Sequence, residues 1–359
     1  MKEDSGFLHY LHSFRGFAIL CIVAVHAGIM PLVAANGFIE PDTSDIIYVI
    51  NEVLFHDSTI YFALISGLLF AAFLSDRGWK RFFRSKFLYI FLPYLFFSVL
   101  LSIGRPPSAP GESGSLHPDL GSYMSTLGLN VLYGKAMPIY WYIPVLFILY
   151  AFTPLLSLIF QGKGWVKWLG LPIMLLPLAI SRQPIAFDYQ FDWQNPLYSL
   201  GAYALGMWMG YQLNDSLTWI KSNKTWLTVI ALLSFGLLFY LYTVEMEPLG
   251  ITSLQETVHY INKLAIAALV IAYFAGKSTQ PKVITWLAND AFAIYFIHFV
   301  FIFLTMSPFI PIIQNEAYYP FNLVLTIPII LVLTLALSKG LIFLLKKLFR
   351  KNSRMFIGS

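Results

Sequence analysis

The chain is predicted to be an all-α membrane protein, a polytopic bundle of about ten transmembrane helices with both termini cytoplasmic. Three observations predict it. Of 359 residues, 58% are hydrophobic and only 11% are charged; the mean hydropathy is +0.70; and the basic residues fall almost wholly on alternate connections between apolar stretches. A soluble domain carries about 25% charged residues, and a water-soluble chain of this size cannot hide so much apolar surface. The composition excludes disorder, a disulfide-rich secreted module and a nucleic-acid-binding domain. The net charge of +5 is read as a topology signal, since basic residues mark cytoplasmic loops. The single cysteine, Cys21, leaves no internal disulfide, CxxC pair or cysteine-based zinc site, and no metal is expected.

A spanning helix needs about 20 mostly apolar residues, and ten stretches approach this. The first, 14–34, follows Lys2 and holds Arg15 at its inner end; the second, 55–74, leads into Arg77, Lys80, Arg81, Arg84 and Lys86, from which the third, 87–103, returns. The fourth, 139–160, opens on Tyr140, Trp141 and Tyr142 and ends before Lys163 and Lys167. The fifth, 168–181, is short and contains Pro172 and Pro177, so it is predicted to be tilted, broken or shielded behind neighbours, as irregular backbone at membrane depth must be. Lys221 and Lys224 join 196–212 to 225–243, Lys277 and Lys282 join 257–276 to 290–306, and the tenth stretch, 322–345, runs into a basic tail from Lys339 to Arg354. With the amino terminus inside, 19 of the 23 Lys and Arg residues are cytoplasmic; only Arg105, Lys135, Arg182 and Lys263 fall outside. An even number of spans with both ends cytoplasmic follows. Residues 1–34 could be misread as a signal peptide, but the apolar run is long and its polar residues look purposeful. The largest outside loop, from Gly104 to about Tyr123, is rich in Pro, Gly and Ser. No fixed-period repeat or appended soluble domain is visible, so residues 1–359 are read as one integral-membrane domain.

Ionisable groups within a span are costly and mark functional candidates. Arg15 and His26 are 11 residues apart, about 1100° of rotation and about 16 Å of rise, so they share a face at different depths. Arg15 could hold an anionic group; it could equally be the basic flank of a first helix, and His26 a hydrogen-bonded interior histidine. Arg81 and Arg84, at i and i+3, point the same way. Paired guanidiniums suit a phosphate or pyrophosphate, although cytoplasmic loops collect such residues anyway. In the ninth stretch, Asn289 or Asp290 is a plausible N-cap and His298 lies near mid-membrane, either buried against a partner or reactive. His56 and Asp57 open the second stretch, but adjacent helical residues diverge by about 100°, which argues against a base with its orienting carboxylate. Tyr140 and Trp141 fit an interfacial belt or a platform for sugar rings or adenine.

The segment SFRGFAILCIVAVH, carrying Arg15 and His26, resembles the signature of the integral-membrane acyltransferase 3 family. So do Ser66 and Gly67 in YFALISGLLF, the Arg81-x-x-Arg84 pair, the block YWYIPVLFILYAFTPLL, and AIYFIH ending at His298. Together these cover most of the chain from residue 8 to about 300. The resemblance implies an O-acyltransferase that moves an acyl group, most often acetyl from acetyl-CoA, to a hydroxyl of a cell-envelope carbohydrate or glycolipid across the bacterial plasma (inner) membrane. On that implication Arg15, Arg81 and Arg84 hold the phosphates of acyl-CoA at the cytoplasmic rim, and the arm between Arg15 and His26 brings the thioester to mid-membrane. His26 is then the general base on the acceptor hydroxyl, because an imidazole with a pKa near 6.5 takes a proton near neutral pH. His298 orients the acceptor or donates to the thioester oxygen. Ser66 and Gly67 permit close helix approach near the site, where Ser66 is counted with the substrate-binding residues, and Tyr140 and Trp141 form a carbohydrate platform at the outer mouth. The acceptor, the acyl group and a covalent route remain open; Cys21, about 140° around the helix from His26, is a poor nucleophile candidate. The rival reading is a polysaccharide or sugar transporter without acyl transfer, and a third is a non-catalytic scaffold.

Overall fold

A computed structural model describes residues 3–37, 45–104, 115–183, 191–244 and 248–359, with side chains from residue 9 onward. Arg105 and most of the loop that follows it therefore lie outside the described residues. Those residues form helices and two isolated β-bridges, with no strand among them. The helices are α1 (Glu3–Ala35), α2 (Ile46–Phe55), α3 (Thr59–Leu69), α4 (Trp79–Lys86), α5 (Leu92–Leu101), α6 (Leu120–Tyr133) and α7 (Tyr142–Phe160). They continue with α8 (Gly170–Leu175), α9 (Gln194–Tyr211), α10 (Leu213–Ser222), α11 (Lys224–Thr243) and α12 (Leu254–Ala275). The chain closes with α13 (Lys282–Ala288), α14 (Ala291–Met306), α15 (Ile310–Ile313), α16 (Phe321–Phe349) and α17 (Ser353–Ile357).

Eight helical runs among the described residues are long and apolar enough to cross a membrane. The protein is an all-α polytopic membrane protein. The two remaining predicted stretches correspond to the short broken segment Gly164–Leu178 and to the 18-residue α9. Pro172 and Pro177 account for the first: the segment alternates between 3₁₀ and α turns, because proline removes a backbone donor and crowds the preceding turn. It packs against α9.

The second span differs from its expected boundary. Helix begins at Ile46, where the Asp45 carboxylate accepts from the amides of Ile47 (2.7 Å) and Tyr48 (3.3 Å), a side-chain N-cap. Asn51 and Glu52 hid this turn from an apolar count. His56 and Asp57 therefore sit at a break between α2 and α3, not at a helix start, and Asp57 takes φ of 59° there, an uncommon left-handed conformation for a non-glycine residue.

Helix α1 is the axis of the bundle, packed by α2, α3, α12, α13, α14 and α16. By contrast α11 and α16 expose long apolar faces, Leu232, Leu233, Val324, Leu325 and Leu344 among them, as helices with lipid on one side do. The pair α3 and α9 approaches backbone to backbone. A Cβ at Gly67 would stand 2.1 Å from the Tyr203 carbonyl oxygen, and one at Gly206 would stand 2.0 Å from that of Leu64. Small residues let membrane helices gain dispersion contact in this way. Gly206→Ala is expected to destabilise by about 1–3 kcal/mol through overpacking, whereas Gly236→Ala in α11, with nothing within 4 Å of its Cβ position, leaves the thermal midpoint in nanodiscs unchanged or raised.

One end of the bundle gathers the basic residues of α4, α13, α16 and α17 and the exposed indoles Trp79, Trp165, Trp168, Trp219, Trp226 and Trp286. Aromatic rings with polar edges favour the membrane interface. We call this the basic end. Lys263, counted among the outside cations from sequence, is instead fully buried: its ammonium donates to the carbonyls of Leu54 (2.8 Å) and Val53 (3.4 Å) at the end of α2, where a cation offsets unsatisfied carbonyls.

Candidate active site

Two predicted residues meet at mid-bundle. His26 of α1 and His298 of α14 lie with ring centroids 5.4 Å apart and with His298 Nε2 3.4 Å from His26 Nδ1. Helical geometry assigns the tautomers. His298 Nδ1 lies 3.0 Å from the Ile294 carbonyl and 2.9 Å from that of Tyr295; carbonyls only accept, so Nδ1 carries the proton and Nε2 a lone pair. His26 Nδ1 likewise donates to the Ile22 carbonyl at 2.7 Å, and the same N–H can share itself with His298 Nε2. That leaves the lone pair of His26 on Nε2, for which no hydrogen-bond partner exists among the described residues. Such a ring is oriented to accept a proton. His298 is fully buried, whereas His26 is only partly so.

Arg15 lies nearer the basic end on the same side of α1 and also faces the α13–α14 segment. Its Nη2 donates to the Ala288 carbonyl at 2.6 Å and to His12 Nδ1 at 3.2 Å, while His12 Nε2 donates to Asn289 Oδ1 at 3.0 Å. Its Nε is buried without a partner, and no carboxylate pairs with the guanidinium among the described residues. A half-buried cation in that state suits an anion. Gly16, where a Cβ would stand 2.1 Å from the Ile284 carbonyl oxygen, lets α13 come this close.

The α13–α14 junction is held by Asp290. It occupies the N-cap position of α14 but makes no capping bond; the expectation of a side-chain cap does not hold. Its carboxylate instead accepts from Lys339, from Lys346 (2.5 Å) and from Ser359. Burial pushes this carboxyl upward, yet the hydrogen bonds from Lys339, Lys346 and Ser359 outweigh burial and hold it below the usual carboxylate range.

Arg81 and Arg84 are exposed on α4 and form no ion pair among the described residues. The inward face of α4 carries Phe82, which is buried, and one turn later Lys86, whose ammonium lies 4.5 Å from the Tyr150 ring centroid. The Ser66 side chain lies beside the Tyr150 hydroxyl. Arg354 of α17 stacks on Tyr89 at 4.3 Å and lies within electrostatic reach of both Arg15 and Lys86. The basic end thus has an inner group of Arg15, Lys86 and Arg354 and an outer rim of Arg81 and Arg84. Sequence reading assigned Lys86 only to topology and missed Arg354, because nothing in the spacing of a basic tail shows that it folds back.

The aromatic platform is not where it was expected. Tyr140 is wholly buried with its hydroxyl donating to the Phe296 carbonyl at 2.7 Å, and Trp141 is 6% exposed with the Arg182 guanidinium 5.9 Å from its ring centroid. Tyr140 offers no open ring face to a sugar, since its edges meet Tyr94 and Phe296. It braces α14 beside His298 instead. Cys21 is buried and its thiol meets Ser58. Among the described residues no group of three His, Cys, Asp or Glu is placed to hold a metal ion.

The described residues thus form a polytopic helical bundle that holds an oriented imidazole within it and, nearer the basic end of the same helix, a guanidinium with which no carboxylate pairs. A family model described as an acyltransferase domain, that of the acyltransferase 3 family, matches residues 8–342. The chain belongs to this family and is a membrane acyltransferase. No curated protein and no solved structure matches it.

Proposed function

We propose that the protein transfers an acyl group, acetyl by preference, from acyl-CoA to a hydroxyl of a carbohydrate or glycolipid of the bacterial cell envelope. In this reading it lies in the plasma membrane with its basic end and both termini cytoplasmic, as one membrane domain without a metal or nucleic-acid partner. The observation that carries the reading is the His26–His298 pair, with the unclaimed His26 Nε2, on the same helix as the unpaired Arg15.

Arg15, Lys86 and Arg354 bind the phosphate groups of the donor, and Arg81 and Arg84 attract it at the rim. His26 Nε2 takes the proton of the acceptor hydroxyl as its oxygen attacks the thioester carbonyl. When the tetrahedral intermediate collapses and the C–S bond breaks, His26 returns that proton to the departing thiolate, so the ester and free CoA form with no net proton change. No enzyme nucleophile is needed. His298, with Nδ1 turned to the Ile294 and Tyr295 carbonyls and Nε2 toward His26, is in this reading a positioning residue, in place of a donor to the thioester oxygen or an orienter of the acceptor: it accepts a second, longer bond from His26 Nδ1–H, whose tautomer the Ile22 carbonyl sets. Ser66 lies beside Tyr150, whose ring faces the Lys86 ammonium, and in this reading serves the donor end of the site.

Mass spectrometry of envelope glycans from cells with and without the protein tests the reading: a mass difference of one acyl group supports it, and transport of intact sugar without CoA release replaces it. Arg15→Ala is expected to raise the half-saturating acyl-CoA concentration roughly 10- to 100-fold, the worth of a charge-assisted hydrogen bond, with little change in maximal rate.

A further inference from the structure

A second polar cluster lies away from the basic end, where α2, α9 and α12 meet the segment after Pro177. His56 Nδ1 lies 2.5 Å from Glu52 Oε2 and His56 Nε2 lies 2.9 Å from Glu256 Oε1. Arg182 Nη2 approaches the same Nε2 at 2.8 Å, and the Tyr198 hydroxyl donates to Asp57 Oδ2 at 2.5 Å. These contacts cannot all be hydrogen bonds. If His56 Nε2 donates to Glu256 it repels Arg182, and if it accepts from Arg182 it repels Glu256.

The cluster is also incomplete. Arg182 Nε stands 3.5 Å from Asp57 Oδ1 and 3.7 Å from Glu256 Oε2, too far for hydrogen bonds. All three atoms are buried and lack a hydrogen bond, being joined only by these long ion pairs, and Glu52 Oε1 and Asn195 Nδ2 are likewise buried without a hydrogen bond. Buried polar atoms are nearly always satisfied in a finished fold, so five in one place point to something that occupies it. One edge is open: the side chains of His56, Arg182 and Glu256 keep 14, 12 and 17% of their surface.

Depth ties this cluster to the candidate active site. Asn51 Nδ2 donates to the Val25 carbonyl at 3.1 Å, which sets the next residue, Glu52, beside the turn of α1 that carries His26. We propose that the cluster formed by Glu52, Asp57, Arg182, Asn195 and Glu256 is the binding site for a polyhydroxylated acceptor, holding one set of hydroxyls while another reaches His26. The ligand chemistry follows from the donor set. A hydroxyl both donates and accepts, so it can bridge a carboxylate oxygen and a guanidinium N–H that a water-free pair leaves apart; a phosphate or carboxylate ligand would be repelled by three carboxylates. The proposal rests on the acyl-transfer reading above.

The test uses full-length protein in nanodiscs, labelled acetyl-CoA, and the carbohydrate extract of membranes from cells lacking the protein. Glu256→Gln keeps the side-chain shape, and Asn195→Asp keeps the oxygen that accepts from the Gln183 amide at 2.9 Å while removing the unpartnered donor. Both are expected to raise the extract concentration for half-maximal labelling about tenfold or more, the loss of one hydrogen bond to a charged or buried group, and to leave half-saturation by acetyl-CoA within about twofold. Folded variants in which neither value moves, or in which only the acetyl-CoA value moves, would make the cluster a structural tie and overturn the proposal. Wild-type protein that labels nothing removes the acyl-transfer reading itself, a separate outcome. Thermal midpoints of the two variants identify any loss due to unfolding, and Asn195→Asp decides the matter if Glu256→Gln does not fold.

Discussion

His26→Ala is expected to lower the maximal rate of acyl transfer by about 10²- to 10⁴-fold, the usual worth of a positioned general base, while half-saturation by acyl-CoA stays near its wild-type value. The split follows from geometry. Arg15 lies about 16 Å along α1 from His26, and its bonds to Ala288 and His12 involve no atom near the imidazole, so donor binding survives the loss of the base. His298 acts through His26 and should show a milder version of the same split. His298→Phe keeps a ring in the core and removes the second, longer acceptor for His26 Nδ1–H, which retains the Ile22 carbonyl; a rate loss of up to about tenfold, at most one ordinary hydrogen bond, with both half-saturation values unchanged, is expected. His298→Gln, which retains an acceptor, should recover part of that loss.

Asp290→Asn is expected to cost about 3 kcal/mol of stability, the lower end for breaking a buried ion pair, since Lys339 is 10% exposed but Lys346 is 39% exposed and partly screened. The loss is read as a lower thermal midpoint in nanodiscs. Acid gives the same information in the wild type. A carboxyl whose folded pKa is depressed contributes fully above its unfolded value of about 3.9, and that contribution disappears as pH falls through the lower folded value. The wild-type midpoint should therefore hold between neutral pH and about pH 5 and fall below about pH 4, while the Asp290→Asn curve falls less over the same interval. Because Asp290 ties α16 and the last residues to the junction that seats Arg15, this variant should also weaken acyl-CoA binding.

Much of this architecture was legible in the chain because the bilayer imposes a simple requirement. Apolar length and basic flanks located most spans, and the two prolines of the fifth stretch correctly signalled a broken one. The 11-residue spacing of Arg15 and His26 placed both on the face that meets the α13–α14 segment. What sequence could not show was convergence. Spacing along α1 says nothing about which helix supplies its partner, so the direct meeting of His26 with His298 had to be seen in space.

The misreadings have definite causes. Tyr140 and Trp141 stand beside the start of a predicted span, where aromatic belts are common, but Tyr140 is buried between α5 and α14 because its hydroxyl finds a backbone carbonyl there. His56 and Asp57 were weighed as neighbours on one continuous helix. The break between α2 and α3 releases them from that geometry, and both converge on Arg182 from a loop about 125 residues away. Asp290 offered a standard N-cap, but two lysines from α16 claim its carboxylate more strongly than backbone amides do.

The central claim is that His26 relays a proton between an acceptor hydroxyl and the thiolate of a donor anchored by Arg15. A single-turnover measurement with labelled acetyl-CoA and the unacylated carbohydrate extract, on wild-type and His26→Ala protein in nanodiscs, tests it most directly. The account predicts that both proteins bind acetyl-CoA, that the wild type releases CoA in step with label entering carbohydrate, and that His26→Ala forms product at least about 100-fold more slowly. Label transfer at the wild-type rate by His26→Ala would contradict it.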